Sequence, residues 1–232
     1  MENSENKSLI STGGSNLAKT EKLLSITKKI LSEIKPQYES VRIGNQEWMT
    51  KNLDVDRFRN GDLIPHIESD EEWEKAGEKG QPAWCYYKNN PENGKKYGKL
   101  YNWFAINDPR GLAPNGWHVP SNEEWNILQA FLGDDEGYKM KSVEGWEERE
   151  DKDGKIQNGN GANSSGFNVL PGGNRSDSGI FLNIRDYALF WSATDLDYTS
   201  AWTRFLFDFS GNLYGFNGRN KSVGASVRCL KD

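Results

Sequence analysis

The hydrophobic positions near the start of the chain follow a helical period. Between residues 16 and 36 they recur every three to four residues: Leu17, Leu23, Leu24, Ile26, Ile30, Leu31 and Ile34. This spacing gathers them on one face of an amphipathic helix that ends before Pro36. An isolated helix of this length is only marginally stable in water. We therefore expect residues 16–35 to pack on their own domain, on a second copy of the chain or on a partner.

After about Val41 the pattern changes to short alternating runs separated by turn residues. Gly44-Asn45 and Asn60-Gly61 predict tight turns between strands. Short β-type runs fill the last third of the chain: FNVLPGG, YALFWSAT, AWTRFLFDF, SGNLYGF and ASVRCLKD. We expect residues 41–232 to form one α+β domain with short twisted antiparallel strands, few helices and long loops. Residues 1–15 are polar and contain Gly and Ser, so we expect them to be disordered.

Capping residues predict where helices begin within this domain. Ser121 and Glu124 have the spacing of a capping box, and Gly133 ends the helix. Its predicted buried stripe consists of Trp125, Leu128, Phe131 and Leu132. Ser69 or Asp70 caps a shorter helix. The segment PENGKKYG predicts a turn, and the polar residues 133–166 predict a long excursion across the surface.

The composition limits the classes of partner. Nine Trp and 24 Gly among 232 residues fit an aromatic core connected by many tight turns. The net charge of −5 disfavours binding to nucleic acid, because phosphates repel an acidic surface. No run reaches the roughly 18 apolar residues that a membrane span needs. The first residues lack the features of a Sec signal, which predicts a cytoplasmic protein and leaves export by another route open.

Few residues have the pattern of a catalytic or metal site. Cys85 and Cys229 lack zinc-ligand spacing, and each is more typical of a small buried residue than of a nucleophile. We expect both to be reduced. His118 has two interpretations: a general base oriented by Glu123 or Glu124, or a structural hydrogen bond near the helix start. The second is favoured because capping already explains Glu124.

Six ordered segments resemble a known family. They are GNQEWMTKNLDV (44–55), YGKLYNWFAINDPRGLAPNGWHVPSNEEW (97–125), SGFNVLPGGNR (165–175), LFWSATD (189–195), AWTRFLF (201–207) and SVRCLKD (226–232). Together they resemble the Fibrobacter succinogenes major paralogous domain over residues 41–232. GWHVPSNEEW and the closing SVRC are also similar, more distantly, to formylglycine-generating enzymes. That similarity implies a C-type-lectin-like fold, with long loops displaying a binding face and with VRIGNQEW and SVRCLKD close together.

The resemblance favours binding over catalysis. Cys229 matches only the terminal cysteine of formylglycine-generating enzymes, so their reactive cysteine pair does not carry over. We expect a non-catalytic protein that binds a protein or glycan ligand through loops around 183–199 and 208–222. The candidate ligand-binding residues are Asn183, Arg185, Tyr187, Tyr198, Asn212, Tyr214, Phe216, Asn217, Arg219, Asn220 and Lys221.

The last third also resembles proteins that are diversified. Related C-type-lectin-like proteins are targets of diversity-generating retroelements, which vary Asn, Tyr, Phe, Ser and Gly positions near the C-terminus. The segment SGNLYGFNGRNKSVGASVRC has that composition. A plain hairpin with Asn and Gly turns is the alternative.

Calcium is the one cofactor that the resemblance leaves open, because C-type-lectin-like folds often hold it in loops. Asp195 and Asp197 are the candidate ligands, since predicted strands flank them. Two other functions remain as alternatives. One is an enzyme on the formylglycine-generating fold that uses His118, and the other is a structural oligomeriser assembled through the N-terminal helix.

Overall fold

The computed structural model describes residues 20–22, 24, 38–150 and 152–232. The chain divides into two units, Met1–Tyr38 and Glu39–Asp232. The predicted disorder of residues 1–15 lies outside the described residues. Of the predicted helix 16–36, only residues 20–22 and 24 are described, and all four have helical backbone. What this helix packs against therefore stays a prediction.

The described part of the second unit contains many short strands and a few short helices. The strands are β1 Ser40–Ile43, β2 Gln46–Met49, β3 Trp84–Cys85, β4 Leu100–Tyr101, β5 Trp117–His118, β6 Glu148–Glu150, β7 Ile156–Asn158, β8 Asn174–Arg175, β9 Phe181–Leu182, β10 Tyr187–Asp195, β11 Ser200–Phe207, β12 Tyr214–Asn220 and β13 Leu230–Lys231. The helices are α1 Asp70–Glu78, α2 Pro91–Tyr97, α3 Trp103–Ile106, α4 Asn122–Leu132 and α5 Glu136–Met140, with a 3₁₀ turn at Tyr87–Asn89. None of these helices has the length and apolar content to span a bilayer.

A four-stranded sheet joins the beginning and the end of the second unit. Its order is β1-β2-β13-β5, and the named strands pair antiparallel. Leu230 lies opposite Trp48 on one side and His118 on the other. The β1–β2 turn depends on Gly44, whose φ of 61° lies in the left-handed region. The predicted hairpin and the predicted proximity of VRIGNQEW and SVRCLKD are both confirmed.

The longest strands form a second, three-stranded sheet with the order β10-β11-β12. The main core packs on one face of it, through Ala188, Phe190 and Leu206. Aromatic rings dominate this core: Trp125 lies 4.8 Å from Trp48 and 5.7 Å from Phe190, between ring centroids. The remaining strands form two-stranded sheets, so the fold is a mixed α+β arrangement of several small antiparallel sheets.

Helix α4 begins as its sequence predicts. The Ser121 hydroxyl accepts the N–H of Glu124, and the Glu124 carboxylate accepts the N–H of Ser121, which completes the capping box. Trp125 and Leu128 are buried, but Phe131 is 63% exposed. Including Phe131 in the buried stripe was therefore wrong, because the core covers a narrower face of this helix than the apolar pattern suggests.

Two segments predicted to be irregular contain regular structure. The segment PENGKKYG forms α2 rather than a turn, because the Asn90 side chain accepts the N–H of Glu92 and Pro91 occupies the first turn. The excursion 133–166 contains α5 and the β6–β7 hairpin. It also adds Met140 and Trp146 to the core, with 0% and 2% exposure.

Candidate functional site

A group of aromatic rings, from buried to exposed, lies on the face of the three-stranded sheet opposite the main core. Residues facing each other across antiparallel strands project to the same side. Tyr187 lies opposite Phe207, Phe205 opposite Tyr214, and Phe216 opposite Thr203. Phe209, in the turn after β11, stacks on Phe207. We call this set the aromatic face: Tyr187, Phe205, Phe207, Phe209, Tyr214 and Phe216.

The rings of the aromatic face support one another and remain partly open to solvent. Phe207 and Phe209 have centroids 4.8 Å apart and planes 16° apart, and Phe205 and Tyr214 are stacked at 5.4 Å and 14°. Phe209 is 68% exposed. Contiguous exposed aromatic groups of this kind are typical of interaction surfaces.

A cavity of about 360 Å³ opens beside the aromatic face. Three of the rings line it, namely Tyr187, Phe207 and Phe209. Its other lining residues are mostly polar: Arg149, Asn174, Leu182, Asn183, Asp186 and Arg219. We call it the arginine cavity. Its apolar wall and few convergent polar groups are the general features of a binding site.

The two arginines of this cavity differ in their partners. Arg149 forms ion pairs with Asp208 and, at 3.7 Å, with Asp186. Arg219 donates a hydrogen bond of 3.3 Å from Nη2 to the hydroxyl of Tyr187. Burial raises the pKa of Tyr187 to about 12, so this hydroxyl stays neutral. Within the described residues, Arg219 has no carboxylate partner.

The turn that carries Asn183 of the cavity wall includes a backbone conformation that side chains rarely adopt. Asn183 and Arg185 have φ values of 62° and 75°. Asn tolerates this region, whereas Arg is uncommon there. The Asn183 carbonyl accepts the N–H groups of Asp186 and Tyr187, which closes the turn, and Arg185 pairs with Glu147 at 3.0 Å. Such conformations concentrate at functional sites.

Lys141 holds the turn between β11 and β12 in place. Its ammonium donates to the carbonyls of Phe207, Asp208 and Ser210 at 3.1–3.2 Å. It also lies 4.9 Å from the centroid of the Trp146 ring. Burial lowers the pKa of Lys141 to about 8, which leaves it mostly protonated at neutral pH. The position of Phe209 therefore depends on a side chain far away in the sequence.

A second cavity, of about 590 Å³, collects other predicted residues. Tyr198, Asn220 and Lys221 line it. Tyr198 is 96% exposed, whereas Lys221 is 6% exposed. The Lys221 ammonium pairs with Asp195 at 2.7 Å and donates to the carbonyl of Asp197 at 2.5 Å.

The two candidate calcium ligands do not fit a calcium site. The Lys221 ammonium lies against Asp195, where a metal cation would have to bind. The Asp197 carboxylate accepts the N–H groups of Thr199 and Ser200, both at 2.8 Å, so it closes a turn. Within the described residues, no group of three or more His, Cys, Asp or Glu is placed to hold a metal ion.

The structure separates the predicted ligand-binding residues into several places. Three of them line the arginine cavity: Asn183, Tyr187 and Arg219. Three line the second cavity: Tyr198, Asn220 and Lys221. Tyr214 and Phe216 belong to the aromatic face. Arg185, Asn212 and Asn217 are exposed outside both cavities.

Two features of the predicted ligand surface need correction. Tyr187 and Lys221 are each only 6% exposed, so they support the surface from below instead of presenting their side chains. Many of the predicted positions also lie on strands rather than loops, because Tyr187 begins β10 and residues 214–220 form β12. The edge strand β12 is rich in Asn, Gly and aromatic residues, as recognition loops are, so composition did not distinguish the two.

The aromatic face includes residues that sequence reasoning assigned only to a strand. Phe205, Phe207 and Phe209 are spaced two residues apart in AWTRFLFDF. In a strand this spacing places them on one side, so the alternation itself was the available signal. Arg149 had no such signal, because it reaches the cavity from the distant β6–β7 hairpin, and Asn174 had none because its side chain is brought there by the pairing of β8 with β9.

Both thiols are enclosed by the protein. Cys85 and Cys229 are free and have 0% exposure. Burial raises the pKa of each to about 12. A thiol is nucleophilic only as the thiolate, so neither cysteine has the environment of a reactive residue at neutral pH.

His118 connects β5 to helix α4 and to the last residue of the chain. Its Nδ1 lies 2.8 Å from the Asp232 carboxylate and its Nε2 lies 2.9 Å from that of Glu124. Burial alone would lower the pKa of His118, but the hydrogen bonds to Asp232 and Glu124 outweigh it and raise the pKa above its ordinary value. The geometry is that of a structural tie between two carboxylates.

Replacing His118 by Gln should weaken the fold most at mildly acidic pH. Because the folded-state pKa is raised, the stabilisation is complete below the unfolded pKa of about 6.5 and disappears as pH rises through the folded pKa. We expect the variant to lose up to about 1 kcal/mol at pH 5.5 and less at pH 9, by urea denaturation.

His66→Gln provides the control for this measurement. Burial lowers the pKa of His66, whose ring stacks on Trp84 at 4.0 Å. Its contribution to stability should therefore have the opposite pH dependence. Equal slopes for the two variants would contradict the assigned role of His118.

The fold and site together define a class of protein: a mixed α+β domain in which small antiparallel sheets support an aromatic face beside a polar cavity. The family described as the Fibrobacter succinogenes major domain matches residues 41–231. The chain belongs to this family. No curated protein and no solved structure matches the chain.

Proposed function

We propose that the protein is a non-catalytic recognition module, which binds a protein or glycan ligand through the aromatic face and the arginine cavity. The observation that carries this proposal is the convergence of three aromatic rings, of which Phe209 is the exposed one, with Arg219 and two side-chain amides around one cavity. Rigid aromatic groups supply contact area at low entropic cost, while amides and arginine supply directional hydrogen bonds.

The environments of the thiols and of His118 favour ligand recognition over catalysis. The two thiols are buried, and His118 is held between two carboxylates, so neither offers an activated group to a substrate. The face rests on a continuous three-stranded sheet and on the turn that Lys141 fixes. A rigid support of this kind limits the entropy lost on binding.

We propose further that the fold is C-type-lectin-like and that the sequence varies at exposed positions near its C-terminal end. The pairing of β13 with β2 and the separate three-stranded sheet support a C-type-lectin-like arrangement. The exposed positions Asn212, Phe216, Asn217 and Asn220 are those that a diversifying mechanism would change, because their side chains do not contribute to the core.

Binding arrays with matched variants test this function. The wild-type protein is applied to one array of oligosaccharides and one of peptides, beside Phe209→Ala and Phe216→Ala. Each variant should lose at least tenfold in signal on the features that the wild type binds. Thermal unfolding should change little, since the two rings are 68% and 44% exposed.

Phe131→Ala is the matched control, because Phe131 is 63% exposed on helix α4, away from the aromatic face. It should bind as the wild type does. If all the variants bind the same features equally, or if the wild type binds nothing on either array, the proposed function is wrong.

A further inference from the structure

Arg219 is partly buried and has fewer hydrogen-bond partners than most of the enclosed cations among the described residues. Arg175, Arg228, Lys141 and Lys221 each donate to several backbone or side-chain oxygens. Arg219 donates from Nη2 to the Tyr187 hydroxyl, while its Nε is buried without a hydrogen-bond partner. Arg204 also has a buried Nε without a partner, but two side-chain amides of helix α4 hold its Nη2. Buried donors are almost always paired, so an unpaired one in a cavity points to a partner from outside the chain.

The carboxylates near the arginine cavity lie beside Arg149 and not beside Arg219. Arg149 and Asp186 offset each other, and Asp208 adds a second carboxylate to Arg149. The guanidinium of Arg219 has a ring, Phe216, at 5.4 Å from its centre but no carboxylate partner within the described residues. A planar guanidinium pairs best with a carboxylate or another oxyanion.

We propose that the arginine cavity takes a glycan that carries a uronate, with the sugar carboxylate bound to Arg219 and the sugar ring lying on Phe209. This inference rests on the proposed recognition function and adds the chemical class of the ligand. Phe209 is stacked on Phe207 and is 68% exposed, so its outer face is open, and the negative quadrupole of that face attracts the C–H groups of a sugar ring.

The remaining polar groups suit hydroxyls better than a peptide. The Asn183 amide donates to the Asn174 side-chain oxygen at 3.2 Å, which leaves the Asn183 oxygen as an acceptor and its second N–H as a donor, and the Asp186 carboxylate accepts. Sugar hydroxyls can satisfy either kind of group. An acidic peptide would bring several carboxylates close to Asp186 and Glu147, which repel them. A uronate has one carboxylate among several hydroxyls, and the cavity has one guanidinium without a carboxylate partner beside side-chain amides.

Calorimetric titration with two matched pairs of probes tests the inference. The probes are trigalacturonate and a hyaluronan tetrasaccharide, each compared with its fully methyl-esterified form, which removes the charge and keeps the sugar. At least one acid should bind about tenfold or more tightly than its ester, because a charge-assisted hydrogen bond would be lost. Raising the salt concentration should reduce this difference.

Variants at two arginines show which residue is responsible. Arg219→Gln should reduce the affinity for the acid at least tenfold and leave that for the ester unchanged. Arg219→Lys should retain part of the preference. Arg57→Gln removes an exposed arginine that contacts the Gly61 carbonyl and should have no effect. Thermal unfolding of each variant shows whether the fold is retained.

Several outcomes would overturn the inference. They are equal binding of acid and ester, binding that Arg219→Gln leaves intact, or no binding of either acid. Binding of an acidic peptide instead, in a manner that depends on Arg219, would also overturn it. None of these outcomes decides the proposed recognition function, which the array signals of Phe209→Ala and Phe216→Ala test separately.

Discussion

Replacing Arg228 by Met is expected to destabilise the protein by about 3–5 kcal/mol, because three buried oxygens would lose a charged donor. Arg228 is 1% exposed. Its guanidinium donates to the carbonyls of Met49 and Phe167 at 3.0 and 2.5 Å and to the Asn52 side-chain oxygen at 2.7 Å. Methionine approximates the volume but leaves these oxygens without this donor, at about 1–3 kcal/mol each when buried.

The charge of Arg228 is retained in the folded protein at neutral pH. Burial lowers its pKa to about 9, which still lies above the pH of ordinary measurements. Arg228→Lys should therefore recover part of the stability, because an ammonium replaces some of the lost hydrogen bonds.

Guanidinium denaturation of Arg228→Met, Arg228→Lys and a surface control, Arg57→Met, checks this expectation. The control should change the free energy of unfolding by less than about 0.5 kcal/mol. A loss below about 1 kcal/mol in Arg228→Met would show that the network contributes little to stability.

Replacing Trp125 by Ala should have an effect of similar size by a different mechanism. Trp125 has 0% exposure and contacts the rings of Trp48, Phe167 and Phe190, with centroids 4.8, 5.9 and 5.7 Å away. Alanine would leave a cavity between helix α4 and the three-stranded sheet. Truncations of this kind cost about 3–5 kcal/mol.

Trp125→Phe separates packing from hydrogen bonding at this position. The indole N–H of Trp125 is buried and has no hydrogen-bond partner. Phenylalanine removes that unpaired donor and keeps much of the ring volume, so we expect a loss below about 1.5 kcal/mol. If both variants were equally destabilised in urea, the indole would have a role beyond filling space.

Capping and turn residues predicted correctly where a helix begins and where two strands turn, because interactions between residues close in sequence determine both. The capping box at Ser121 and Glu124 and the Gly44-Asn45 turn are both present. The helix capped by Asn90 was missed, because PENGKKYG also satisfies the requirements of a turn. Proline at the first helical position was the available signal.

Burial of particular side chains could not be predicted, because it depends on distant segments. Tyr187 and Phe131 both belong to alternating or helical apolar patterns, yet Tyr187 is buried and Phe131 is exposed. Arg149 reaches Asp208 from a hairpin 59 residues earlier in the chain. The ligand-binding loops that the family resemblance implies stay a prediction, whereas the cavity and the lack of a carboxylate beside Arg219 required the three-dimensional arrangement.

The strand β12 does not tolerate change equally along its length. A Cβ atom at Gly215 would lie 1.9 Å from a guanidinium nitrogen of Arg204. That guanidinium is held in place by Asn122 and Asn126 of helix α4. Phe216 and Asn217, the next two positions, project without such an obstacle. A combinatorial library intended to retarget this protein should therefore keep Gly215 constant and randomise Phe216 and Asn217.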